Sequence, residues 1–134
     1  MILVDTNVLF DVLTNDAEWA DWSQRHLEIY ALEDQLIINP VIYAELSSRF
    51  EHIDALESAL ITANIEVVEV PRTALFLAGK AYRLYRERRG IKTSVLPDFF
   101  IGAHAAVAAI PLLTRDTTRY RSYFPTVELI APSR

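Results

Sequence analysis

The chain contains no cysteine, which excludes a disulfide framework and a thiolate metal site. It also lacks an apolar run long enough to cross a membrane, because its longest one, AAVAAIPLL, is short and carries a proline. Only three apolar residues separate Met1 from Asp5, too few for a signal peptide. Repeats, linkers and low-complexity segments are missing as well. These absences predict a cytoplasmic protein with no membrane partner.

The overall composition is that of a folded protein. Hydrophobic residues make up 51% of the 134 residues and charged residues 23%, which is typical of a globular chain and not of a disordered one. A chain of this length usually forms one domain with a substantial core. We therefore expect a single domain that spans residues 1–134.

Basic residues are scarce in the first half of the chain, and acidic residues are scarce in the second half. Residues 1–70 contain 14 acidic residues against Arg25 and Arg49, whereas residues 71–134 contain 11 basic residues against four acidic ones. The halves carry net charges of −12 and +7, a difference that the total of −5 hides. This split is compatible with a positive face on an acidic body and also with ordinary solvated helix surfaces, and both interpretations stay open at this point.

Short apolar runs alternate with longer helical patterns along the chain. The runs predict buried parallel strands: ILVD, LIIN, IEVVEV, PLLT and VELIA, which begin at residues 2, 36, 65, 111 and 127. The helical patterns cover residues 17–33 after Asp16, 41–50 after Asn39-Pro40, 52–63, 72–89 between Pro71 and Gly90, and 98–109 after Pro97. This alternation predicts one α/β domain with helices on both faces of a mostly parallel sheet of about five strands.

Two acidic residues follow predicted strands directly. Asp5 ends the first strand, and Asp116 falls just past the fourth. Ligands of parallel sheets bind beyond the carboxyl ends of the strands, so both side chains are expected at the edge where a ligand would lie. Each residue also has an ordinary structural explanation, Asp5 as a turn former and Asp116 as the N-cap of a short helix.

Two further acidic residues lie on predicted helices. Glu45 shares a helix face with apolar residues, where a carboxylate needs a partner, a proton or a cation, although Arg49 four residues on could pair with it. Asp98 lies in a first helical turn, where the helix dipole favours an acid. The small Gly102 one turn later would let this helix approach the sheet closely and bring Asp98 toward the strand ends.

If the four acids converge, they need a positive charge between them. Two like charges about 4 Å apart repel by roughly 4 kcal/mol at an effective dielectric constant of 20. Oxygen ligands without cysteine, and without histidines at zinc spacing, select Mg²⁺ or Mn²⁺ over Zn²⁺. The convergence itself does not follow from sequence spacing.

Four segments, VDTNVLFD, YAEL, PDFFIGAHA and LLTRDTTRYRSYF, together resemble the PIN-domain ribonucleases, specifically the VapC-type toxins of bacterial toxin–antitoxin modules. The resemblance extends from Asp5 to the C-terminal LIAP, with the acids in the family's order and approximate spacing. It implies a three-layer α/β/α sandwich, Mg²⁺ or Mn²⁺ as cofactor, and cleavage of RNA phosphodiester bonds. It also implies a cognate antitoxin as partner and a homodimer.

This resemblance assigns roles to individual residues. The expected metal-binding and catalytic residues are Asp5, Glu45, Asp98 and Asp116, of which Asp116 stands at the family's most variable position. Asn7 and Thr114 are expected to support these ligands. The carboxylates act first as ligands, because a divalent cation can hold a phosphate oxygen, acidify a bound water and stabilise the leaving oxygen.

The basic half of the chain then has a function beside the acids. Seven basic residues lie between Arg72 and Lys92, and three arginines surround Asp116. A groove that follows an RNA backbone needs such cations, and tyrosines among them could stack on bases, although partly buried helix positions are the commoner use. The expected RNA-binding residues are Arg86, Arg88, Arg89, Lys92, Arg115 and Arg119.

Two other classes of function remain open. A receiver-like signalling domain also binds Mg²⁺ at strand ends, but it needs an aspartate after its third strand and a lysine after its fifth, which IEVVEVP and VELIAP lack. A catalytically silent module that binds RNA or a partner would keep the fold without the reaction. Cleavage of RNA that depends on the acids separates an enzyme from such a module.

Overall fold

A computed structural model describes residues 1–88, 90–92 and 95–133 of the chain. Its centre is a five-stranded sheet in which every strand pair is parallel, in the order β3-β2-β1-β4-β5. The strands are β1 (Ile2–Val4), β2 (Leu36–Ile38), β3 (Ile65–Val67), β4 (Leu112–Leu113) and β5 (Leu129–Ile130). All five predicted strands are confirmed, and each is shorter than its apolar run.

Seven helices flank the sheet in the described residues, which confirms the predicted α/β/α sandwich. They are α1 (Thr6–Leu13), α2 (Ala20–Glu33), α3 (Pro40–Ser47), α4 (Ile53–Thr62), α5 (Arg72–Glu87), α6 (Leu96–Ala108) and α7 (Thr118–Tyr123). No helix in this described part of the chain is long and apolar enough to span a bilayer.

The sequence patterns did not predict helix α1, and they raised α7 only as the short helix that Asp116 would cap. Asp5 has an extended backbone, and its Oδ1 accepts a hydrogen bond from the Thr6 N–H at 2.7 Å, so that Asp5 is the N-cap of this helix. The helix buries Val8 and Leu9 in the core. A cap immediately after a strand leaves no loop between the two elements, so the sequence carries no separate signal for the start of the helix.

Two predicted helix ends are wrong, and both have a local cause. Arg88, not Gly90, caps the end of α5, and the glycine is instead required because a Cβ there would lie 2.4 Å from the Tyr85 ring. Helix α2 begins only at Ala20. The backbone N–H groups of Glu18 and Trp19, in the turn before α2, donate to Asp16. Asp16 therefore stabilises this turn and does not cap the helix.

The close contact that Gly102 allows is not between helix α6 and the sheet, as predicted, but between α6 and the end of α7. A Cβ at Gly102 would lie 2.3 Å from the ring of Phe124, the residue that follows α7. The absence of a side chain at Gly102 therefore lets the end of α7 pack against α6. This contact brings α7 and the first turn of α6 to the same end of the molecule.

The strand order creates a switch point next to β1. The chain runs from β1 outward through β2 to β3, and later returns to the other side of β1 with β4 and β5. In open parallel sheets, such a reversal leaves a crevice beyond the strand ends, where ligands bind. Asp5 follows β1 and Thr114 follows β4, so these two residues lie at this crevice.

Candidate metal and catalytic site

Asp5 is a buried carboxylate surrounded by hydrogen-bond donors. It is only 4% exposed. Its Oδ2 accepts hydrogen bonds from the Tyr120 hydroxyl at 2.8 Å, the Thr114 hydroxyl at 2.9 Å and the Asn7 amide at 3.3 Å, while its Oδ1 accepts the capping bond of α1. No cation lies against it among the described residues, so its charge is stabilised by neutral donors alone.

The pKa of Asp5 reflects this environment. Burial raises the pKa from 3.8 to about 7, although hydrogen bonds from Tyr120 and Thr114 lower it. The nearby negative charge of Asp98 adds to the increase. A carboxyl group whose pKa departs this far from its usual value, at the crevice of a parallel sheet, is a typical feature of a functional site.

Glu45 reaches the same place from helix α3. Asn39 caps this helix by accepting a hydrogen bond from the Ile42 N–H at 3.0 Å, and Pro40 begins it. The Thr6 hydroxyl donates to Oε1 of Glu45 at 2.5 Å. Because the backbone N–H of Thr6 also binds Asp5, one residue joins the first two acids of the candidate quartet.

Asp98 lies in the first turn of α6 and contacts α7. Its Oδ2 accepts a hydrogen bond from the Arg119 guanidinium at 3.2 Å. Burial raises the pKa of Asp98, the arginine lowers it, and the charges of Glu45 and Asp116 raise it further. Since Arg119 and Tyr120 are neighbours on α7, this short helix contacts both Asp98 and Asp5.

Asp116 is the most open of the four acids. Its side chain is exposed, and its Oδ1 accepts one long hydrogen bond, from the Thr118 N–H at 3.4 Å. Thr117, not Asp116, is the N-cap residue of α7. The backbone of Asp116 is nevertheless fixed to the crevice, because its N–H donates to the Thr114 hydroxyl at 3.1 Å.

The four acids share one electrostatic environment without forming a closed set of ligands. Their charges act on one another, as the pKa values of Asp5 and Asp98 show. Over residues 1–88, 90–92 and 95–133, however, no three His, Cys, Asp or Glu side chains lie close enough together to hold a metal ion. Thr6 instead bonds to one oxygen of Glu45, and Arg119 bonds to one oxygen of Asp98. The donor chemistry fits Mg²⁺ or Mn²⁺, both of which take carboxylate oxygens, once these side chains close around the ion.

The two expected supporting residues both contact Asp5. Thr114 is fully buried and donates to Asp5, and Asn7 bonds to both Asp5 and Thr114. Tyr120 makes an equally short contact that the sequence did not single out. Four tyrosines lie among the C-terminal arginines, and nothing in their spacing distinguished this one from the others.

The expected RNA-binding residues fall into three groups. Arg86, Arg88 and Lys92 are exposed. Arg115 instead donates to the buried Asp11 at 2.7 Å, where Asp11 also accepts a hydrogen bond from Ser23, and Arg119 pairs with Asp98. Arg89 lies outside the described residues.

The end of α5 lies beside the acids. The Arg119 guanidinium is 5.4 Å from the centre of the Tyr85 ring, and the Arg88 guanidinium is 5.7 Å from that of Tyr123 on α7. Tyr82, Tyr85 and Tyr123 surround Phe99 in an aromatic cluster and are half-buried, as expected of helix residues. This cluster joins α5, α6 and α7, and it brings the end of α5, with Arg88, to the same end of the molecule as Asp98.

A large cavity lies away from the acids. It is an apolar groove of about 430 Å³ between α1, α2, α3 and α4. Its lining includes Leu9, Leu13, Leu27, Leu46 and Phe50. The candidate site and the apolar groove are thus separate features of the surface, although both use α1 and α3.

Comparison with solved structures finds the same fold in bacterial toxin–antitoxin proteins. VapBC2 from Rickettsia felis, bound to a DNA fragment from their promoter, has a TM-score of 0.73 at 18% identity, over 99% of this chain and 100% of that one. VapBC-1 from nontypeable Haemophilus influenzae has a TM-score of 0.71 at 18% identity, over 98% of each chain. VapC20 from Mycobacterium tuberculosis, a sarcin–ricin loop cleaving toxin, has a TM-score of 0.62 at 18% identity, over 96% of this chain and 99% of that one.

These identities are too low to establish more than a shared fold. Among curated proteins, no sequence matches the chain. The PIN domain family, in contrast, matches residues 2–124, a range that runs from β1 to the end of α7 and contains all four candidate acids. The chain therefore belongs to the PIN-domain family.

Proposed function

We propose that this protein is a Mg²⁺- or Mn²⁺-dependent endoribonuclease and the toxin of a toxin–antitoxin pair, acting in the cytoplasm. The observation that carries the proposal is the buried carboxylate of Asp5 at the switch point of the sheet, with Asp98 in electrostatic reach. The receiver alternative is dropped, because the chain belongs to the PIN-domain family.

The proposed reaction is hydrolysis of a phosphodiester, whose negative charge repels a nucleophile. When bound, a divalent cation supplies Lewis acidity and lowers the pKa of a coordinated water. Asp5, Glu45, Asp98 and Asp116 are the residues that would hold it. The one hydrogen bond that the Asp116 side chain accepts, at 3.4 Å, is the longest made to any of the four, so this carboxylate is the freest to orient an attacking water.

The RNA backbone would be bound by the basic end of α5. Arg86, Arg88 and Lys92 are exposed, so their charges are accessible to phosphates. Arg119 stands between this surface and the acids, and it could contact the phosphate nearest the reaction. Arg115 is left out of the proposed RNA surface because it neutralises the buried Asp11.

The proposed partner is a cognate antitoxin. The structures that share this fold include a toxin-antitoxin complex from Klebsiella pneumoniae, at 24% identity, FitAcB from Neisseria gonorrhoeae, at 20%, and DNA-bound VapBC from Salmonella typhimurium, at 17%. A homodimer is proposed from the resemblance to the VapC-type toxins alone. Neither assembly is needed for the hydrolysis, which uses residues of one chain.

A catalytically silent binding module is the second candidate function. One observation favours it: within the described part of the chain, the acids do not form a ready group of three ligands. A silent module would keep the RNA-binding or partner-binding surface and would need no cation. The two candidates differ in whether added metal changes the fate of bound RNA.

The test is RNA cleavage by the purified protein with Mg²⁺, with Mn²⁺ and with EDTA. The proposal predicts cleavage with either metal, none with EDTA, and none by Asp5→Asn. Asp54→Asn is the matched control, because Asp54 is an exposed aspartate in the first turn of α4 and should leave cleavage unchanged. RNA that is bound but never cut with any metal would favour the silent module.

A further inference from the structure

The Tyr120 hydroxyl stands out among the contacts of the candidate site. Tyr120 is 2% exposed, and its OH group donates to Oδ2 of Asp5 at 2.8 Å. No other tyrosine in the described part of the chain bonds to one of the four acids. A buried hydroxyl that donates to one oxygen of a candidate metal ligand leaves the other oxygen of that ligand available to a cation.

The two oxygens of Asp5 are occupied unequally. A carboxylate oxygen offers about two lone-pair positions. Oδ2 accepts short bonds from Tyr120 and Thr114, plus a longer one from Asn7, so its positions are filled. Oδ1 accepts only the Thr6 N–H, so one position remains open there.

The open oxygen lies on the side of Asp5 that faces the second acid. Thr6 donates its backbone N–H to Oδ1 of Asp5 and its hydroxyl to Oε1 of Glu45. Oδ1 is thus linked to Glu45 through a single residue, whereas Oδ2 is directed toward the hydroxyls contributed by α7 and the end of β4.

We propose that Tyr120 is a positioning residue, which with Thr114 occupies Oδ2 of Asp5 and leaves Oδ1 as the one oxygen of this carboxylate open to a divalent cation. The inference rests on the proposed function, since it assumes that Asp5 is a ligand. Tyr120 acts through Asp5 and does not touch the ion or the RNA.

This arrangement has a consequence for the choice of cation. Ca²⁺ accepts six to eight oxygens in flexible geometry and often takes both oxygens of one carboxylate, whereas Mg²⁺ requires a near-octahedral set of single oxygens. A carboxylate limited to one oxygen therefore favours the smaller ion. Freeing Oδ2 should weaken binding of the small ions and weaken binding of Ca²⁺ less.

The test is calorimetric titration of Mn²⁺ and of Ca²⁺ into the wild-type protein and into Tyr120→Phe. Residues that orient a metal ligand typically contribute about 10- to 100-fold in metal affinity. We expect Tyr120→Phe to lower the Mn²⁺ affinity by about tenfold or more, and to reduce the preference for Mn²⁺ over Ca²⁺. The decisive result is a smaller ratio of Mn²⁺ affinity to Ca²⁺ affinity, because a general loosening of the site would lower both affinities by the same factor.

Tyr123→Phe is the matched control, since it removes a hydroxyl from the same helix that makes no hydrogen bond within the described residues. It should bind both ions as the wild type does. Thr114→Val removes the other short donor to Oδ2, so it should reproduce the effect and serves as the second variant if Tyr120→Phe does not fold.

The outcomes separate this inference from the proposed function. If the wild type binds Mn²⁺ and cleaves RNA, but Tyr120→Phe matches Tyr123→Phe or loses both ions equally, the inference alone is overturned. If the wild type neither binds Mn²⁺ nor cleaves RNA, both are overturned. A reduced preference in Tyr120→Phe or Thr114→Val supports the inference.

Discussion

The two sides of the candidate site differ in how completely their carboxylates are bonded. On the fixed side, defined as Asp5 with its four donors, the acid is 4% exposed and every contact comes from a neutral group. On the open side, defined as Asp98, Asp116 and Arg119, the acids are partly or fully exposed and one of them is paired with an arginine. Charge is thus held in place on the fixed side and can be rearranged on the open side.

The difference follows from the elements that supply each side. The fixed side is centred on the ends of β1 and β4, two adjacent fully buried strands whose backbones leave little freedom, and α1 and Tyr120 of α7 add further donors to it. The open side is built from the first turn of α6 and from α7, a helix of six residues. A site of this kind has one ligand that stays in position while the others can move toward a cation.

The largest expected effect comes from comparing the two open-side acids. Asp98→Asn should slow cleavage by about 10²–10³-fold, because losing a ligand removes several kcal/mol of charge stabilisation. Asp116→Asn should slow it far less, by about tenfold or about 1.4 kcal/mol, because Asp116 is exposed and weakly bonded. Single-turnover rates at saturating Mg²⁺ measure both. Equal losses in the two variants would contradict the distinction drawn between these acids.

Arg115→Gln should act on stability. It leaves the buried Asp11 with only Ser23 as a partner, and breaking a buried ion pair is strongly destabilising, here by about 2 kcal/mol since the arginine is partly exposed. Urea unfolding in EDTA measures the change. Arg86→Gln, on the exposed face of α5, is the control and should shift the free energy of unfolding by less than about 0.5 kcal/mol. Wild-type stability in Arg115→Gln would return this arginine to the candidate RNA surface.

Arg119→Gln removes the positive charge from the open side. Without metal, we expect the free energy of unfolding to fall by about 0.5–1 kcal/mol. The fall is small because the lost pair with Asp98 is partly exposed, and part of it comes from stronger repulsion between the acids. With millimolar Mg²⁺, the rise in thermal midpoint should exceed that of the wild type, since the ion no longer competes with the arginine.

Arg121→Gln, an exposed arginine on the same helix, is the control for this competition and should show the wild-type rise. A rise in Arg119→Gln that is no larger than in the control would show that the arginine and the ion do not compete for Asp98.

The smallest expected effect concerns the buried His104 behind the site. Burial lowers the pKa of His104 below its usual 6.5, and its Nδ1 accepts a hydrogen bond from the Asn39 amide at 3.2 Å. As the pH falls below 6.5, the unfolded chain takes up this proton first, so the free energy of unfolding should decrease. Urea unfolding at pH 7.5 and 5.5 measures this decrease, which should be smaller in His104→Gln than in the wild type. His52→Gln, at an exposed histidine, should show the same decrease as the wild type.

Most of the fold was predictable from sequence because buried parallel strands are nearly continuous apolar runs. Five such runs gave the five strands, and the Asn39-Pro40 pair gave the start of α3. Helix α1 was not predictable in this way, since Asp5 both ends a strand and caps the helix. The role of Gly90 depends on the Tyr85 ring packed against it, which no local signal reveals.

The candidate site was predictable in its acids and less so in its other residues. Asp5, Glu45 and Asp98 stood out because carboxylates at a strand end, on an apolar helix face and in a first turn are unusual as a set. The contacts of Tyr120, Arg115 and Arg119 join segments far apart in sequence, such as Tyr120 to Asp5, so they appear only once the chain is folded. A basic cluster in sequence likewise did not distinguish an arginine that faces solvent from one that neutralises a buried acid.

The central claim is that the acids around Asp5 gather a divalent cation although Thr6 and Arg119 hold two of them in its absence. The most direct measurement is the anomalous difference density of a crystal grown with Mn²⁺. We expect a peak in direct contact with carboxylate oxygens of Asp5 and Asp98, with Arg119 turned away from Asp98. Density that shows no such peak, with the arginine still on Asp98 at saturating Mn²⁺, would contradict it.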